Sequence, residues 1–371
     1  MMLAIYRKYR PKKLEDVLGQ EAITTILKNA SKADGLGHAY LFYGPRGSGK
    51  TTTARILAKL VNCETRIANQ EFRAKGEPCN DCRVCREIDD GRALDIVEID
   101  AASNRGIDEI RDLKEGIKFS PTSYRCKVFI IDEAHQLTKE AFNALLKTLE
   151  EPPDHAIFIL ATTEFEKMPV TIISRTQRFH FKRLPRMVIA KKLKEVAEAE
   201  KIKIEEPAIE LISAAAEGSF RDAESLLDQI ASLRSADADG IKAHDIERII
   251  GKAPFGRLAE IAELLMKKDL SASLEYLSKI SEDGYDPVQF NKDLIHYLRR
   301  VLALRFSPGL EKNFSEELTD HELELVKKQS ARLDDKLAIS LIKSLIRAYT
   351  EMRYTPFTMV PMEVAIIENL K

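Results

Sequence analysis

Eight residues in the first sixth of the chain have the types and spacing to hold a chain of phosphates: Gly44-Pro45-Arg46-Gly47-Ser48-Gly49-Lys50-Thr51. Glycines let the loop turn so that backbone N–H groups face the β- and γ-phosphate oxygens. Lys50 brings a positive charge to the same oxygens, and the Thr51 hydroxyl can ligate Mg²⁺. A helical run from Thr52 to Leu60 follows, adding the positive end of a helix dipole. A second group is Val128-Phe129-Ile130-Ile131-Asp132-Glu133-Ala134-His135. Four apolar residues followed by two acids place carboxylates at the C-terminal end of a buried strand, where ligands sit in open α/β sheets. Asp132 would hold the Mg²⁺ through water, and Glu133 would polarise an attacking water as a general base. Alone, the Asp-Glu pair could be a helix N-cap or first-turn charge. Beside a phosphate loop it reads as catalytic.

Four cysteines form a third group. Cys63 is followed by fifteen residues and then by Cys79-x₂-Cys82-x₂-Cys85. Four thiolates so spaced can wrap one tetrahedral ion. The surrounding 63–85 insertion is charged and short of apolar residues, so it cannot form a core and needs a staple. The alternatives are free thiols and an iron–sulfur cluster, but the Cys-Pro that ends the ferredoxin run is missing. Zn²⁺ fits best, in a structural role, because four cysteine ligands leave no open position. Cys126 stands apart beside a strand and reads as a small packed residue.

Three weaker candidates make sense only with a nucleotide bound. Thr162 and Thr163 end an apolar strand, where hydroxyls could position water or sense a γ-phosphate, although threonine in a strand is ordinary. Arg175 follows Ser174 after a Pro-broken segment, and could be a surface residue or stabilise transition-state charge. Arg221 opens a helix in Gly218-Ser219-Phe220-Arg221-Asp222, where spacing alone favours a salt-bridged surface arginine.

The elements that must position these groups have two textures. Up to residue 183, apolar strands alternate with helical patterns: Ala39–Tyr43, Leu94–Ile99, Lys127–Ile131, Ala156–Ala161 and a short alternating piece at Gln177–Phe181. That alternation predicts an open α/β sheet of buried parallel strands. Beyond residue 184 only helical periodicity remains, divided near Gly251–Gly256. The expected organisation is a nucleotide-binding domain over 1–183, a small helical segment over 184–252 and a helical bundle over 253–371.

Composition narrows the classes of function. The 371 residues are 44% hydrophobic and 32% charged, enough apolar material for real cores. With 58 Lys+Arg against 59 Asp+Glu, the chain is no bulk basic coat for nucleic acid. Residues 1–60 carry eleven Lys/Arg and four Asp/Glu, whereas 195–250 carry six and fourteen. The basic end suits an anionic ligand, and the acidic stretch reads as solvated helix faces. The longest hydrophobic runs have six residues against roughly 20 for a membrane span, and no secretory signal is visible. A cytoplasmic protein without a membrane partner is expected.

Together these residues resemble the gamma/tau clamp-loader family of bacterial DNA polymerase III. The matching stretches begin with Tyr9-Arg10-Pro11, Val17-Leu18-Gly19-Gln20-Glu21 and His38-Ala39-Tyr40-Leu41-Phe42. They continue through the four cysteines, Glu98-Ile99-Asp100-Ala101-Ala102-Ser103 and Phe142-Asn143-Ala144-Leu145-Leu146-Lys147-Thr148-Leu149-Glu150-Glu151-Pro152-Pro153. They end with Pro169-Val170-Thr171-Ile172 before Ser174-Arg175, and with Gly218-Ser219-Phe220-Arg221-Asp222. The likeness is dense over residues 4–251, while the last third matches only in being helical. A cysteine insertion beside an intact phosphate loop separates this family from the delta-prime subunit, which has lost the loop, and from replication factor C, which lacks the cysteines.

The resemblance implies an AAA+ P-loop domain with a zinc insertion, a helical lid and an all-α collar through which subunits oligomerise. It implies ATP as substrate, with Mg²⁺, and the loading of a sliding clamp onto primed DNA during replication. The partners implied are the delta and delta-prime subunits, further gamma/tau copies, the sliding clamp, primer–template DNA and, indirectly, single-strand-binding protein, at the nucleoid. Arg175 matches the arginine finger given to a neighbouring subunit's ATP; the family's Ser-Arg-Cys stands here as Ser174-Arg175-Thr176. Thr163, ahead of Thr162, matches the γ-phosphate sensor, and Arg221 the second sensor on the lid. Tyr6, Arg10, Pro11, Val17 and Leu18 match the wall of the adenine pocket. The competing readings are another AAA+ motor, such as a branch-migration helicase, and a non-hydrolysing scaffold. The cysteine insertion counts against the first, and intact Lys50, Asp132, Glu133 and Arg175 against the second. No polymerase site is evident, so a DNA-directed DNA polymerase classification would describe the holoenzyme. Some members carry an extension that tethers the helicase and polymerase core. This chain ends at Lys371 after a helical pattern without a Pro-rich linker, so those tethers are expected to be absent or on another product.

Overall fold

A computed structural model describes residues 4–103, 115–117, 119–232, 240–250, 255–315, 318 and 320–371. The chain forms two compact units, Met1–Gly240 and Ile241–Lys371.

The first unit is built on five parallel strands: β1 (Ala39–Tyr43), β2 (Ile96–Asp100), β3 (Lys127–Asp132), β4 (Ala156–Thr162) and β5 (Gln177–His180). Their order is β2-β3-β4-β1-β5. Both faces are covered, so each strand sends successive side chains into two different cores. On β3, Phe129 and Ile131 enter one core, with Phe142, Leu145 and Leu149 of a helix over Lys139–Glu150. Val128 and Ile130 enter the other, with Ile23 and Leu27 of Glu21–Lys32 and Ile56, Leu57 and Leu60 of Lys50–Asn62. The predicted strands are all present, with shifts at their ends. β2 starts at Ile96 rather than Leu94 because Leu94 points to solvent and the buried Asp95 carboxylate is taken up by the backbone N–H groups of Thr122, Ser123 and Tyr124 at 2.8, 2.8 and 3.0 Å. That clasp fixes the entry into β3.

Numbered in chain order, the helices of this unit are α1 (Ile5–Lys8), α2 (Glu21–Lys32), α3 (Lys50–Asn62), α4 (Glu64–Ala68), α5 (Gln70–Arg73), α6 (Arg83–Asp89), α7 (Lys139–Glu150), α8 (Val170–Ile173), α9 (Arg186–Ala199), α10 (Glu206–Ala215) and α11 (Phe220–Ser232). The last three pack on one another through Ile189, Leu193, Ile209, Ile212, Leu227 and Ile230, all buried. Among its described residues the elements of the second unit are all helices, from Ala243–Ile250 to Val360–Leu370, around a core that includes Phe290, Leu294, Tyr297, Leu341 and Leu345. Among the described residues, no helix is long and apolar enough to cross a membrane.

Candidate functional site

Parallel strands all end on one edge of the sheet, and the groups singled out in the sequence collect there. The loop between β1 and α3 holds two glycines that only glycine satisfies. Gly44 has φ +143° and a Cβ there would meet the Phe181 carbonyl oxygen at 2.1 Å; Gly47 has φ +71° and a Cβ would meet Ser219 Oγ at 1.9 Å. The loop is therefore pressed between β5 and the start of α11. Gln20 clamps it from a third side, donating from Nε2 to the Lys182 carbonyl at 2.8 Å and to that of Ser48 at 3.4 Å. Lys50 is buried and donates to the carbonyls of Gly44 and Pro45 at 2.9 and 2.8 Å. Burial pushes its ammonium below the ordinary lysine range, and the charges of Glu133 and Asp132 partly offset this.

The acids at the end of β3 divide as their chemistry requires. Thr51 Oγ1 donates to Asp132 Oδ2 at 2.7 Å, so a hydroxyl and a carboxylate oxygen lie side by side facing the loop. That pair of hard oxygen donors fits Mg²⁺. Glu133 adopts φ 46°, a left-handed conformation that turns its side chain out of the strand direction. Its Oε2 accepts from the Thr163 hydroxyl at 2.8 Å and lies 3.5 Å from His135 Nδ1. Glu133 stands at the N-cap position of a 3-10 turn over Ala134–Gln136, but its side chain caps no N–H of that turn and reaches Thr163 instead.

A cleft of about 900 Å³ opens beside these groups. Arg46, Gly47, Ser48, Gly49, Lys50, Thr51, Thr52, Asp132 and Glu133 line one end. Tyr6, Arg10, Pro11, Val17 and Leu18 line it as well, with Leu184 just before α9, Val188 on α9 and Arg221 on α11. Arg221 is exposed and stacks over the Tyr6 ring at 5.1 Å. Gly44 and Pro45 stand behind the loop, outside the lining. Thr163 also lies outside it and reaches the cleft through Glu133. Thr162 is fully buried, and its hydroxyl faces His135 Nδ1 at 3.0 Å. Arg175 is not brought into this cleft: it pairs with Glu150 of α7 and donates to the Thr171 carbonyl at 2.8 Å on a partly exposed surface.

Several residues here escaped sequence reasoning. His135 is anchored between Thr162, Glu133 and Glu164, the last at 3.1 Å. Lys59, almost fully buried, donates to the Lys12 carbonyl, Asn80 Oδ1 and Asp89 Oδ1 at 3.0, 2.7 and 2.9 Å. It ties α3 to the cysteine insertion, whose Asn80 also lines the cleft. Glu224 of α11 is buried in the cleft wall. Its only sequence signal is an acid within the helix's apolar stripe.

The four cysteine sulfurs lie within 4.8 Å of one another, and those of Cys79 and Cys85 are 4.0 Å apart. Tetrahedral zinc–thiolate bonds of about 2.3 Å require sulfur separations near 3.8 Å, so this cage fits Zn²⁺. Backbone N–H groups of Cys79 and Cys82 approach the Cys63 and Cys79 sulfurs at 3.4 and 3.2 Å. Hydrogen bonding with Cys85 and with backbone donors pulls Cys63 below the ordinary thiol range, and the Cys63 thiolate pushes Cys85 up. Four thiolates cannot crowd together without a cation. Cys126 packs half-buried beside the sheet core, away from the cage.

Sequence comparison adds relatives to this geometry. A family model described as the DNA polymerase III delta subunit matches residues 19–185. One for the clamp loader subunit's ATPase lid domain matches 188–233, and one for domain III of subunits gamma and tau matches 241–370. The DNA polymerase III subunit gamma of Buchnera aphidicola is 32% identical over 97% of this chain and 96% of its own length. This chain belongs to the DNA polymerase III gamma/tau family. The subunit tau of Bacillus subtilis is 43% identical over 98% of this chain, which spans 62% of that relative's length. Among solved structures, Thermotoga maritima RuvB aligns at 21% identity with a TM-score of 0.48, covering 70% of this chain and 79% of its own, too distant to carry a functional argument.

Proposed function

We propose that this chain is an ATP-hydrolysing subunit of the bacterial clamp loader. The observation that supports this most is the convergence on one cleft of the phosphate loop, the Thr51–Asp132 pair and a Glu133 held by Thr163. Lys50 and the loop N–H groups bind the β- and γ-phosphates, and Arg221 closes on them from the lid side. Thr51 and Asp132 would hold Mg²⁺, which supplies charge neutralisation on the transferred phosphoryl group. Glu133 takes the proton of the attacking water, with Thr163 fixing its orientation and sensing the γ-phosphate. Tyr6, Arg10, Pro11, Val17 and Leu18 wall the base. Cys63, Cys79, Cys82 and Cys85 would hold one structural Zn²⁺, giving a coreless insertion its shape.

Arg175 supplies charge to the ATP of a neighbouring subunit. Its place outside its own cleft suits that role, because a finger acting in trans must face outward. The assignment therefore ties hydrolysis to assembly with delta, delta-prime and further gamma/tau copies, around a sliding clamp and primer–template DNA, in the cytoplasm. The three segments 1–183, 184–252 and 253–371 serve as motor, lid and collar.

Mixing two inactive variants tests this reading. Arg175→Ala subunits keep Lys50, and Lys50→Ala subunits keep Arg175. Assembled together with clamp and primed DNA, they regain ATP turnover at sites pairing an intact Lys50 with a neighbour's Arg175. A finger contributes roughly 10³–10⁵ in rate. Normal turnover by Arg175→Ala alone in that assembly would return Arg175 to a structural role.

A further inference from the structure

The cysteine insertion holds the wall of the nucleotide cleft at a point that a cage built for its own shape does not require. Its stretch Gly76-Glu77-Pro78 is buried and leads into Cys79 of the cage. Gly76 has φ +69°, and a Cβ there would meet the Lys28 carbonyl oxygen of α2 at 2.6 Å, so the insertion is pressed against that helix. Glu77, 5% exposed, reaches back along the chain to accept from the Leu14 N–H at 2.8 Å and from the Glu15 N–H at 3.2 Å. Lys28 pairs with the same carboxylate at 3.0 Å. Leu14 and Glu15 open a 3-10 turn over Leu14–Asp16, and the residue before it, Lys13, has no side-chain acceptor to cap it. Glu77 supplies that acceptor from the insertion. Glu15, Asp16 and Val17 of this stretch line the cleft. Val17 also reaches the phosphate loop: a Cβ on Gly49 would stand 3.5 Å from its Cγ1. Just before the turn, Lys59 takes the Lys12 carbonyl together with Asn80 of the insertion.

We propose that the cysteine insertion is a strut for the base side of the nucleotide cleft: Glu77 fixes the 12–17 segment as part of the wall on which the base packs, and an intact cage keeps Glu77 in place. This rests on the reading of the cleft as a nucleoside triphosphate site whose base lies against Tyr6, Arg10, Pro11, Val17 and Leu18. Glu77 is a positioning residue, since it touches the wall and not the nucleotide. The phosphate cradle is made elsewhere, by the loop over residues 44–51 and by Asp132. Freeing the wall therefore weakens the hold on the base and spares the hold on the phosphates. A ligand with three phosphates and no base separates the two. The coupling is reciprocal, so a cage that supports nucleotide binding is itself supported by bound nucleotide, by the same factor.

The experiment measures equilibrium binding of Mg–ATP and of Mg–tripolyphosphate to the full chain, with the zinc content of each sample recorded. A hydrogen bond to a charged group is worth roughly 10- to 150-fold in an equilibrium. A wall held in place for a smaller fraction of the time lowers the apparent affinity in proportion. Glu77→Ala that retains its zinc should bind ATP roughly 10- to 100-fold more weakly and tripolyphosphate as the wild type does. Glu77→Gln keeps an acceptor for the Leu14 N–H and should recover most of the ATP affinity. Wild type stripped of zinc under reducing conditions, and Cys79→Ser, should bind tripolyphosphate normally and still bind ATP, but more weakly. These two samples give the same reading with Glu77 untouched, should Glu77→Ala fail to fold. Unchanged ATP affinity in zinc-bearing Glu77→Ala or in the stripped chain, or an equal loss of ATP and tripolyphosphate, overturns the strut. A wild type that binds neither ligand overturns the nucleotide-site reading itself.

Discussion

Replacing Glu224 with glutamine removes an ionisable group while keeping its shape, and the pH dependence of that change follows from the fold. Burial raises the Glu224 carboxyl from 4.5 to about 8. Between those values the folded chain keeps a proton that the unfolded chain has released. Unfolding then releases a proton, so stability falls as pH rises through this window and levels off above the folded value. One pKa unit is about 1.4 kcal/mol, so the part of the shift developed between about pH 5 and about pH 9 amounts to about 4 kcal/mol. At ~2–4 °C per kcal/mol for a unit of this size, that is roughly 8–16 °C in Tm. Glutamine has no such linkage. Thermal unfolding of wild type and Glu224→Gln without nucleotide should show the variant gaining on the wild type by that amount as pH rises. A Tm difference that stays constant across the range would refute the reasoning, because the carboxyl would then be ionised and hydrated in the folded chain.

The remaining expectations concern the cleft and the cysteine cage. Glu133→Gln should bind ATP and lose roughly 10²–10⁴-fold in turnover, as a missing general base does. Thr163→Val, which deletes the 2.8 Å hydrogen bond to Glu133, should lose roughly ten- to a hundred-fold in kcat with ATP affinity retained; wild-type turnover in either variant would remove that residue from the mechanism. Lys59→Met leaves Asp89 and Asn80 without their buried cation and should lower stability by about 3 kcal/mol, roughly 6–12 °C in Tm. A melt indistinguishable from wild type would show that the insertion docks without Lys59. Elemental analysis should find about one zinc per colourless chain, and Cys79→Ser should lose it while still binding ATP. Visible absorbance with iron and sulfide would point to a cluster instead.

Chemistry carried by neighbours in sequence was legible from the residues alone. The phosphate loop needs glycines, a lysine and a threonine at fixed offsets, because one loop and one helix start make the whole cradle. Asp132 and Glu133 end an apolar strand, and three of the four cysteines fall within seven residues. The strands were readable for a related reason: a sheet covered on both faces demands continuous apolar runs. Tertiary structure decided whatever depends on groups far apart in the chain. Nothing near Glu224 in sequence announces that α11 turns it into the cleft wall near Tyr6, more than 200 residues earlier. Lys59 looks like any solvated lysine until α3 is packed and its ammonium meets Lys12, Asn80 and Asp89. Asp95, taken into a predicted strand, became a clasp for a loop 27 residues on. Each is an ionisable group that burial takes out of solvent and makes part of the structure, and burial belongs to the assembled fold.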